Sequence, residues 1–289
     1  MPAGPRIADY LSLVKFSHSI FALPFALISL LLATHGYPAP GLLALVVLCA
    51  VSARTAAMAF NRLVDVEIDR QNPRTRRREL PSGKVSRRAA LVMTLVSAAL
   101  FVLLAGAINP LCLALSPVVL LLLLGYSYTK RFTWSCHLLL GLALGLAPLG
   151  AWIAALGSFE GLLGTPLLLA LAVLTWVAGF DVIYACQDSD FDRGLGLHSI
   201  PVRFGVTWGL GISAALHLLT LCFLVLVGLV SGLGVWWWLG VSLAALLLVY
   251  EHRIVAPGDL SRVGVAFFTV NGLFSLLLAV LTAVEFWAR

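Results

Sequence analysis

Charge is what this sequence has least of. Only 11% of its 289 residues are Asp, Glu, Lys or Arg, against about 25% in an ordinary soluble domain. A water-facing surface cannot be built from that supply. Acidic residues are the scarcer sign, 13 against 19 Lys and Arg. Intrinsic disorder is excluded as well, because it needs low hydrophobicity and high net charge, whereas 61% of this chain is hydrophobic and the mean hydropathy is +1.02. Cysteine is also sparse. Cys49, Cys112, Cys136, Cys186 and Cys222 lie in or at the ends of apolar runs without a CxxC pair. That pattern excludes a disulfide framework and a zinc site and leaves small buried hydrophobes. No small-x-small cleavage site follows the first apolar run, so a cleaved signal peptide is not expected.

Long apolar runs are what the chain has in abundance. A membrane span needs about 20 apolar residues to cross a hydrocarbon core about 30 Å thick. Nine runs qualify, at 16–34, 41–61, 89–108, 110–128, 136–156, 165–187, 208–230, 233–250 and 264–286. They predict an all-α integral membrane fold of nine transmembrane helices, in a single polytopic domain over residues 1–289. Gly, Pro and Asn mark the turns between runs, as in Asn109-Pro110 and Ser231-Gly232. Pro24, Pro117 and Pro148 fall inside runs, where neighbouring helices can satisfy the freed backbone carbonyls. The Trp236-Trp237-Trp238 cluster reads as an interfacial anchor.

Seventeen of the nineteen Lys and Arg fall on one side of that topology: before the first run and in the connections 2–3, 4–5, 6–7 and 8–9. The exceptions are Arg54, inside the second run, and Arg289. Positive charge accumulates in cytoplasmic loops, which predicts a cytoplasmic N-terminus and an outside C-terminus in a bacterial-type inner membrane. Topology accounts for the basic pI, and nucleic-acid binding is not expected. Arginines 74–78 and the charges of 84–88 suit either anionic lipid or a phosphate ligand. The connections 62–88 and 188–207 are long and lie on the charged side, where they predict a cytoplasmic cap over the functional surface.

Two acidic motifs border those connections. The second run ends in Asn61-Arg62-Leu63-Val64-Asp65-Val66-Glu67-Ile68-Asp69, and the sixth in Asp181-Val182-Ile183-Tyr184-Ala185-Cys186-Gln187-Asp188-Ser189-Asp190-Phe191-Asp192. Asp65 to Asp188 and Asp69 to Asp192 are both offsets of 123 residues, which predicts two parallel four-helix repeats plus one helix. Residues at i, i+4 and i+8 share a helix face, so Asn61, Asp65 and Asp69 form a polar stripe that Met58 and Arg54 extend deeper. Asp181, Tyr184, Asp188 and Asp192 align likewise on the sixth helix. Facing carboxylate pairs repel unless a cation lies between them. Mg²⁺, held by one or two carboxylates and substrate phosphate oxygens, resolves that repulsion. Glu67 and Asp190 read as solvated helix ends. Asp181 and Arg54, within apolar runs, cost about 2.5–3.5 kcal/mol each on insertion scales and predict a polar cavity or a structural ion pair.

Together these residues resemble the UbiA superfamily of intramembrane aromatic prenyltransferases, over essentially the whole chain. The resemblance rests on the NxxxDxxxD of the second helix, the DxxYxxxDxxxD of the sixth, and the Arg-rich loop ending Glu79-Leu80-Pro81-Ser82-Gly83. It implies transfer of a polyprenyl group from polyprenyl diphosphate to an aromatic acid of the 4-hydroxybenzoate type, in respiratory quinone synthesis, with Mg²⁺ required. Positions matching Asn61, Asp65, Asp69, Asp188 and Asp192 hold metal and diphosphate in such enzymes, and those matching Asp181 and Tyr184 face the reacting centre. A basic residue after the fourth helix contacts diphosphate, which fits Lys130 or Arg131. Two departures stand out. Arg62 replaces the Asp that commonly follows the Asn, and the usual Lys-Pro entry to the first helix is here Lys15-Phe16-Ser17-His18-Ser19-Ile20-Phe21-Ala22-Leu23-Pro24. Both resemble members that prenylate 1,4-dihydroxy-6-naphthoate in futalosine-route menaquinone synthesis.

The expected mechanism follows. Lys130 and Arg131, with Arg62 or Arg74 and a bound Mg²⁺, would neutralise the diphosphate as the allylic C–O bond ionises. Asp181 accepts or orients the phenolic proton, Tyr184 offers its ring face to the cation, and Arg54 binds the acceptor carboxylate. The isoprenoid tail leaves laterally into membrane lipid, and no obligate protein partner is expected. His18, His137, His217 and His252 lack metal-ligand spacing and read as lone polar contacts; His198 is a further candidate for diphosphate. A secondary transporter is the non-enzymatic alternative, and it predicts charges at the bilayer midplane rather than at helix ends.

Overall fold

The computed structural model describes residues 6–14 and 21–288. Residues 15–20, which include Lys15 and His18, lie outside the described residues, as does Arg289. The architecture is helical throughout: α1 (Ile7–Leu13), α2 (Leu23–Ala33), α3 (Pro40–Gln71), α4 (Arg87–Ile108), α5 (Pro110–Gly125), α6 (Cys136–Leu156), α7 (Thr165–Ala185), α8 (Ser189–Gly194), α9 (Ile200–Phe204), α10 (Val206–Val230), α11 (Val235–Ile254), α12 (Val263–Val265) and α13 (Asn271–Trp287). A 3₁₀ turn, Tyr126–Arg131, continues α5; another, Cys186–Asp188, continues α7; a π turn, Ala266–Val270, joins α12 to α13.

Eight of these segments are long and apolar enough to cross a membrane. Eight spans, not the expected nine, qualify among the described residues; the run 16–34 contributes the shorter, 11-residue α2 there. Helix α1 was not expected. It lies against the base of α3, where Leu13 packs with Val66, Leu80, Val85 and Ala90.

Local chemistry explains the helix limits. Asn109 caps α5 by accepting the Cys112 N–H at 2.8 Å, and Pro110 follows at the first helical position. Ser86 caps α4 in the same way through the Ala89 N–H at 3.1 Å. Pro148 sits inside α6, and its carbonyl accepts the Ser29 hydroxyl of α2 at 2.6 Å. Inside a membrane such interhelical bonds and close packing hold helices together, because lipid removes most of the hydrophobic drive between them.

Helix α7 is central. Of its most apolar stretch 67% is buried within the protein, against 11% for α4 and for α5. Its Trp176 stacks on Phe274 at 4.9 Å and meets Phe25 and Phe180 at 5.2 and 5.1 Å. Its indole N–H donates to Asn271 at 2.6 Å, and the Asn271 amide donates in turn to Glu251 and to the Ala266 carbonyl, each at 2.9 Å. The last bond satisfies a carbonyl of the π turn, and that turn carries Phe267 to within 4.3 Å of Tyr184. Helices α6 and α7 approach closely because Gly141 and Gly145 face the α7 backbone. A Cβ at Gly141 would sit 2.3 Å from the Leu174 carbonyl oxygen, and one at Gly145 2.8 Å from that of Ala170.

Some expectations need correction. Trp237 is not an interfacial anchor: it is 1% exposed and packs in the core, donating to the Leu224 carbonyl at 3.3 Å, while Trp236 beside it is exposed. The cysteines are not uniformly buried either; Cys186 is, but Cys222 is exposed and Cys49 and Cys112 line a cavity. A helix inside a bilayer has no aqueous face to avoid, so a small apolar side chain on its outer side costs nothing.

Candidate active site

A cavity of about 960 Å³ occupies the interior of the bundle between α2, α3, α4, α5, α6 and α7. One end is polar. Asn61, Arg62, Asp65 and Asp69 reach it from α3, Asn72, Arg74 and Arg78 from the loop that follows, and Lys130 from the 3₁₀ turn. Tyr184 from α7, Asp188 and Asp192 beyond it, and His198 complete the rim. The remainder is walled by Ala, Leu, Val and Ile side chains and extends to Phe159 and Leu162 in the α6–α7 connection, at the other end of the bundle. Phe159 and Val118 are 56% and 55% exposed, so the apolar part reaches the outer face of the protein.

The structure brings residues of both acidic motifs to one cavity. Helix α3 continues unbroken to Gln71, which keeps Asn61, Asp65 and Asp69 on one stripe. After α7 the chain tightens into the 3₁₀ turn before α8, yet Asp188 and Asp192 still face the cavity. Glu67 and Asp190, the outward members of the motifs, are exposed and pair with Arg70 and Arg87 and with Arg193.

Three of the inward aspartates already have cations. Asp65 receives Lys130 Nζ at 2.8 Å and Arg131 at 3.1 Å, together with the Asn61 amide at 3.3 Å. Arg131 is thus anchored on α3 through Asp65 and the Val64 carbonyl rather than lining the cavity. Asp69 is bound by Arg78 at 2.9 and 3.0 Å, with Arg62 4.0 Å away. Asp188 is clamped by Arg74, whose Nε lies 2.9 Å from one carboxylate oxygen and whose Nη2 bonds the other, and by the Asn72 amide at 3.0 Å. Arg74 also donates to the Tyr184 hydroxyl at 2.6 Å and lies 4.8 Å over its ring. Burial opposes the Arg74 charge, but the bonds to Asp188 and Tyr184 outweigh it and hold the guanidinium above its ordinary pKa. Arg62 is buried at 6% exposure, with its Nε 3.4 Å from the Leu13 carbonyl.

Two charged groups lie deeper. Arg54, two turns below Asn61 on α3, lines the cavity, and its buried Nε has no hydrogen-bond partner among the described residues. Asp181 lines the cavity from α7 and accepts from His137 Nδ1 at 2.7 Å. His137 is the residue that sequence reasoning missed. It is 44 positions from Asp181, and no spacing rule links them. The Gly141 and Gly145 contact is the one signal that pointed to this pairing, since small residues four apart mark close helix approach. His217 and His252 are likewise not lone contacts but bond each other at 2.9 Å.

The donor set suits a hard divalent cation. Asp65, Asp69, Asp188 and Asp192 offer only oxygen, and Asn61, which donates through its nitrogen to Asp65, keeps its amide oxygen for a ligand. No three His, Cys, Asp or Glu among the described residues converge on one point.

The chain matches the UbiA prenyltransferase family over residues 22–283. It belongs to that family. A relative from Vibrio parahaemolyticus, 4-hydroxybenzoate octaprenyltransferase, is 32% identical over 259 residues, 90% of this chain and 89% of the relative. Among solved structures, the apo form of a UbiA homologue from Aeropyrum pernix K1 matches with a TM-score of 0.85 and 34% identity, over 93% of this chain and 98% of that one. A UbiA homologue from Archaeoglobus fulgidus bound to GPP and Mg²⁺ shares the fold, with a TM-score of 0.70 and 20% identity over 96% and 99% of the two chains. As a UbiA protein the chain is a multi-pass membrane prenyltransferase.

Proposed function

We propose that this UbiA protein transfers a polyprenyl group from its diphosphate to a ring carbon of an aromatic acid of the 4-hydroxybenzoate type, in respiratory quinone synthesis. One observation carries the reading: a single cavity joins a rim of aspartates and cations to a long apolar channel, with Arg54 and Asp181 between them. The rim suits a diphosphate, the channel an isoprenoid chain, and Arg54 with Asp181 a carboxylate and a hydroxyl on one small ring. The names of the relatives agree.

Asn61, Asp65, Asp69, Asp188 and Asp192 would hold Mg²⁺, and when bound the metal supplies positive charge to the leaving diphosphate. Lys130, Arg62 and Arg74 contribute further charge at the rim, and Arg131 supports them by holding Asp65. The allylic C–O bond breaks, diphosphate departs with the bonding electrons, and the ring carbon ortho to the phenolic hydroxyl forms the new C–C bond. Asp181 accepts or orients the phenolic proton, which raises ring nucleophilicity, and the displaced ring proton passes to solvent. Tyr184, with Phe267 stacked beside it, presents aromatic surface to the allylic cation. The chain tail exits toward lipid near Val118. The positive residues at the polar rim support a cytoplasmic rim and N-terminus and an outside C-terminus in a bacterial-type inner membrane.

The Arg62 variant favours a second acceptor, 1,4-dihydroxy-6-naphthoate, and one assay separates the two. Membranes carrying the protein are given geranyl diphosphate and Mg²⁺ with either acceptor. Prenylated 4-hydroxybenzoate is expected; product with the naphthoate alone transfers the assignment to menaquinone synthesis, and product with neither refutes both.

A further inference from the structure

We infer that His137 is a positioning residue that holds Asp181 in one orientation, and that it ties that orientation to the loop carrying the second acidic motif. The inference rests on the reading of Asp181 given above and goes beyond it.

The geometry begins with packing. Gly141 and Gly145 let α6 lie directly on the α7 backbone at Leu174 and Ala170. One turn before Gly141 stands His137; two turns beyond Leu174 stands Asp181. The close contact therefore sets the two side chains opposite each other, and the His137 side chain is 3% exposed.

Both ring nitrogens are committed. Nε2 receives the backbone N–H of Ile200 at 3.3 Å, and Nδ1 lies 2.7 Å from Asp181 Oδ2. A backbone amide can only donate, so Nε2 must be the bare nitrogen. In a neutral ring the proton then sits on Nδ1 and is donated to Asp181. That bond occupies Oδ2 and leaves Oδ1 for a substrate hydroxyl. An amide from one segment thus selects the tautomer that orients a carboxylate on another.

Ile200 opens α9, whose cap is Ser199, accepting the Val202 N–H at 3.2 Å. The same stretch is fastened to the segment bearing Lys130. His198 donates its backbone N–H to the Lys130 carbonyl at 2.7 Å, and Cys136 Sγ lies 3.5 Å from the His198 carbonyl. Order in the loop after Asp188 and Asp192 consequently reaches Asp181 through the imidazole.

The test uses the full chain in lipid nanodiscs, with geranyl diphosphate, 4-hydroxybenzoate and Mg²⁺. His137→Ala is expected to lower kcat about 10- to 100-fold, the scale for losing the partner that orients a reacting group. Each KM should stay within about twofold, the pattern of a group that acts on the reacting state rather than on binding. His137→Asn, which keeps an N–H near the Nδ1 position, should recover most of the loss. Asp181→Asn separates the two readings. If it retains full kcat, the role of Asp181 is wrong; if it is impaired while His137→Ala is not, only the positioning role fails. Histidine ¹⁵N spectra of the unmodified protein, assigned by the signal missing from His137→Asn, give a readout independent of variant folding. A protonated Nδ1 with a bare Nε2 is expected, and the opposite tautomer overturns the proposal.

Discussion

The two acidic motifs have the same spacing and different backbones. On α3 the motif lies on uninterrupted helix to Gln71, and its aspartates are compensated by Lys130, Arg131 and Arg78. After α7 the motif passes through a 3₁₀ turn into a six-residue helix, and Asp188 is compensated by a single arginine from the opposite loop, Arg74. The first motif is therefore a rigid wall. The second belongs to a segment held by bonds from its neighbours, at Asn72, Arg74, Lys130 and His137. Equal spacing predicts equal chemistry, but rigidity is decided by what each motif is fastened to.

Variants can break that comparison, beginning with the largest expected effect. Asp65→Ala and Asp188→Ala should each lower Mg²⁺-dependent prenyl transfer in membranes by about 100-fold or more, the cost of losing one electrostatic contact at a developing charge. Unimpaired transfer in either would remove that motif from the site. Gly141→Val should lower the melting temperature in detergent, by the equivalent of about 1–3 kcal/mol for an overpacked helix contact, and should lower kcat with it by parting His137 from Asp181. A stable, fully active Gly141→Val protein would show that the α6–α7 contact does not position the site. Arg54→Leu should raise the KM for the acceptor about 10-fold and leave that for geranyl diphosphate unchanged, since a hydrogen bond to a charged group contributes about 1.5–3 kcal/mol. A rise for the diphosphate instead would move Arg54 to the leaving-group side. Glu67→Gln and Asp190→Asn should change neither activity nor melting temperature, because these outward members of the motifs face solvent; loss of transfer in either would extend the site beyond the inner stripe.

Much of this was legible in the chain. Apolar runs of spanning length marked the long helices because a bilayer demands that length from any helix that crosses it. The 123-residue offset marked Asp65, Asp69, Asp188 and Asp192 as one set, and all four line the same cavity, because a periodic polar stripe survives translation into three dimensions. Arg54 and Asp181 were legible as cavity residues by their cost in an apolar run. Other features were not. Among the described residues the run 16–34 gives a short α2, Trp237 turns inward where composition alone suggests an interface, and Arg131 anchors the rim rather than lining it. The last two depend on neighbours in other helices: Gly228 of α10 leaves room for Trp237, and Asp65 with the Val64 carbonyl of α3 captures Arg131.

Composition and periodicity by themselves determined a helical membrane protein with two matching acidic stripes at one end of its bundle, since helix period and bilayer thickness act on local sequence. Only the tertiary structure decided which cation meets which aspartate, and that an imidazole from α6 holds Asp181. The second pairing rests on the close approach of α6 to α7, which Gly141 and Gly145 permit, and the cation pairs rest on which loop and helix segments meet, which local spacing does not encode.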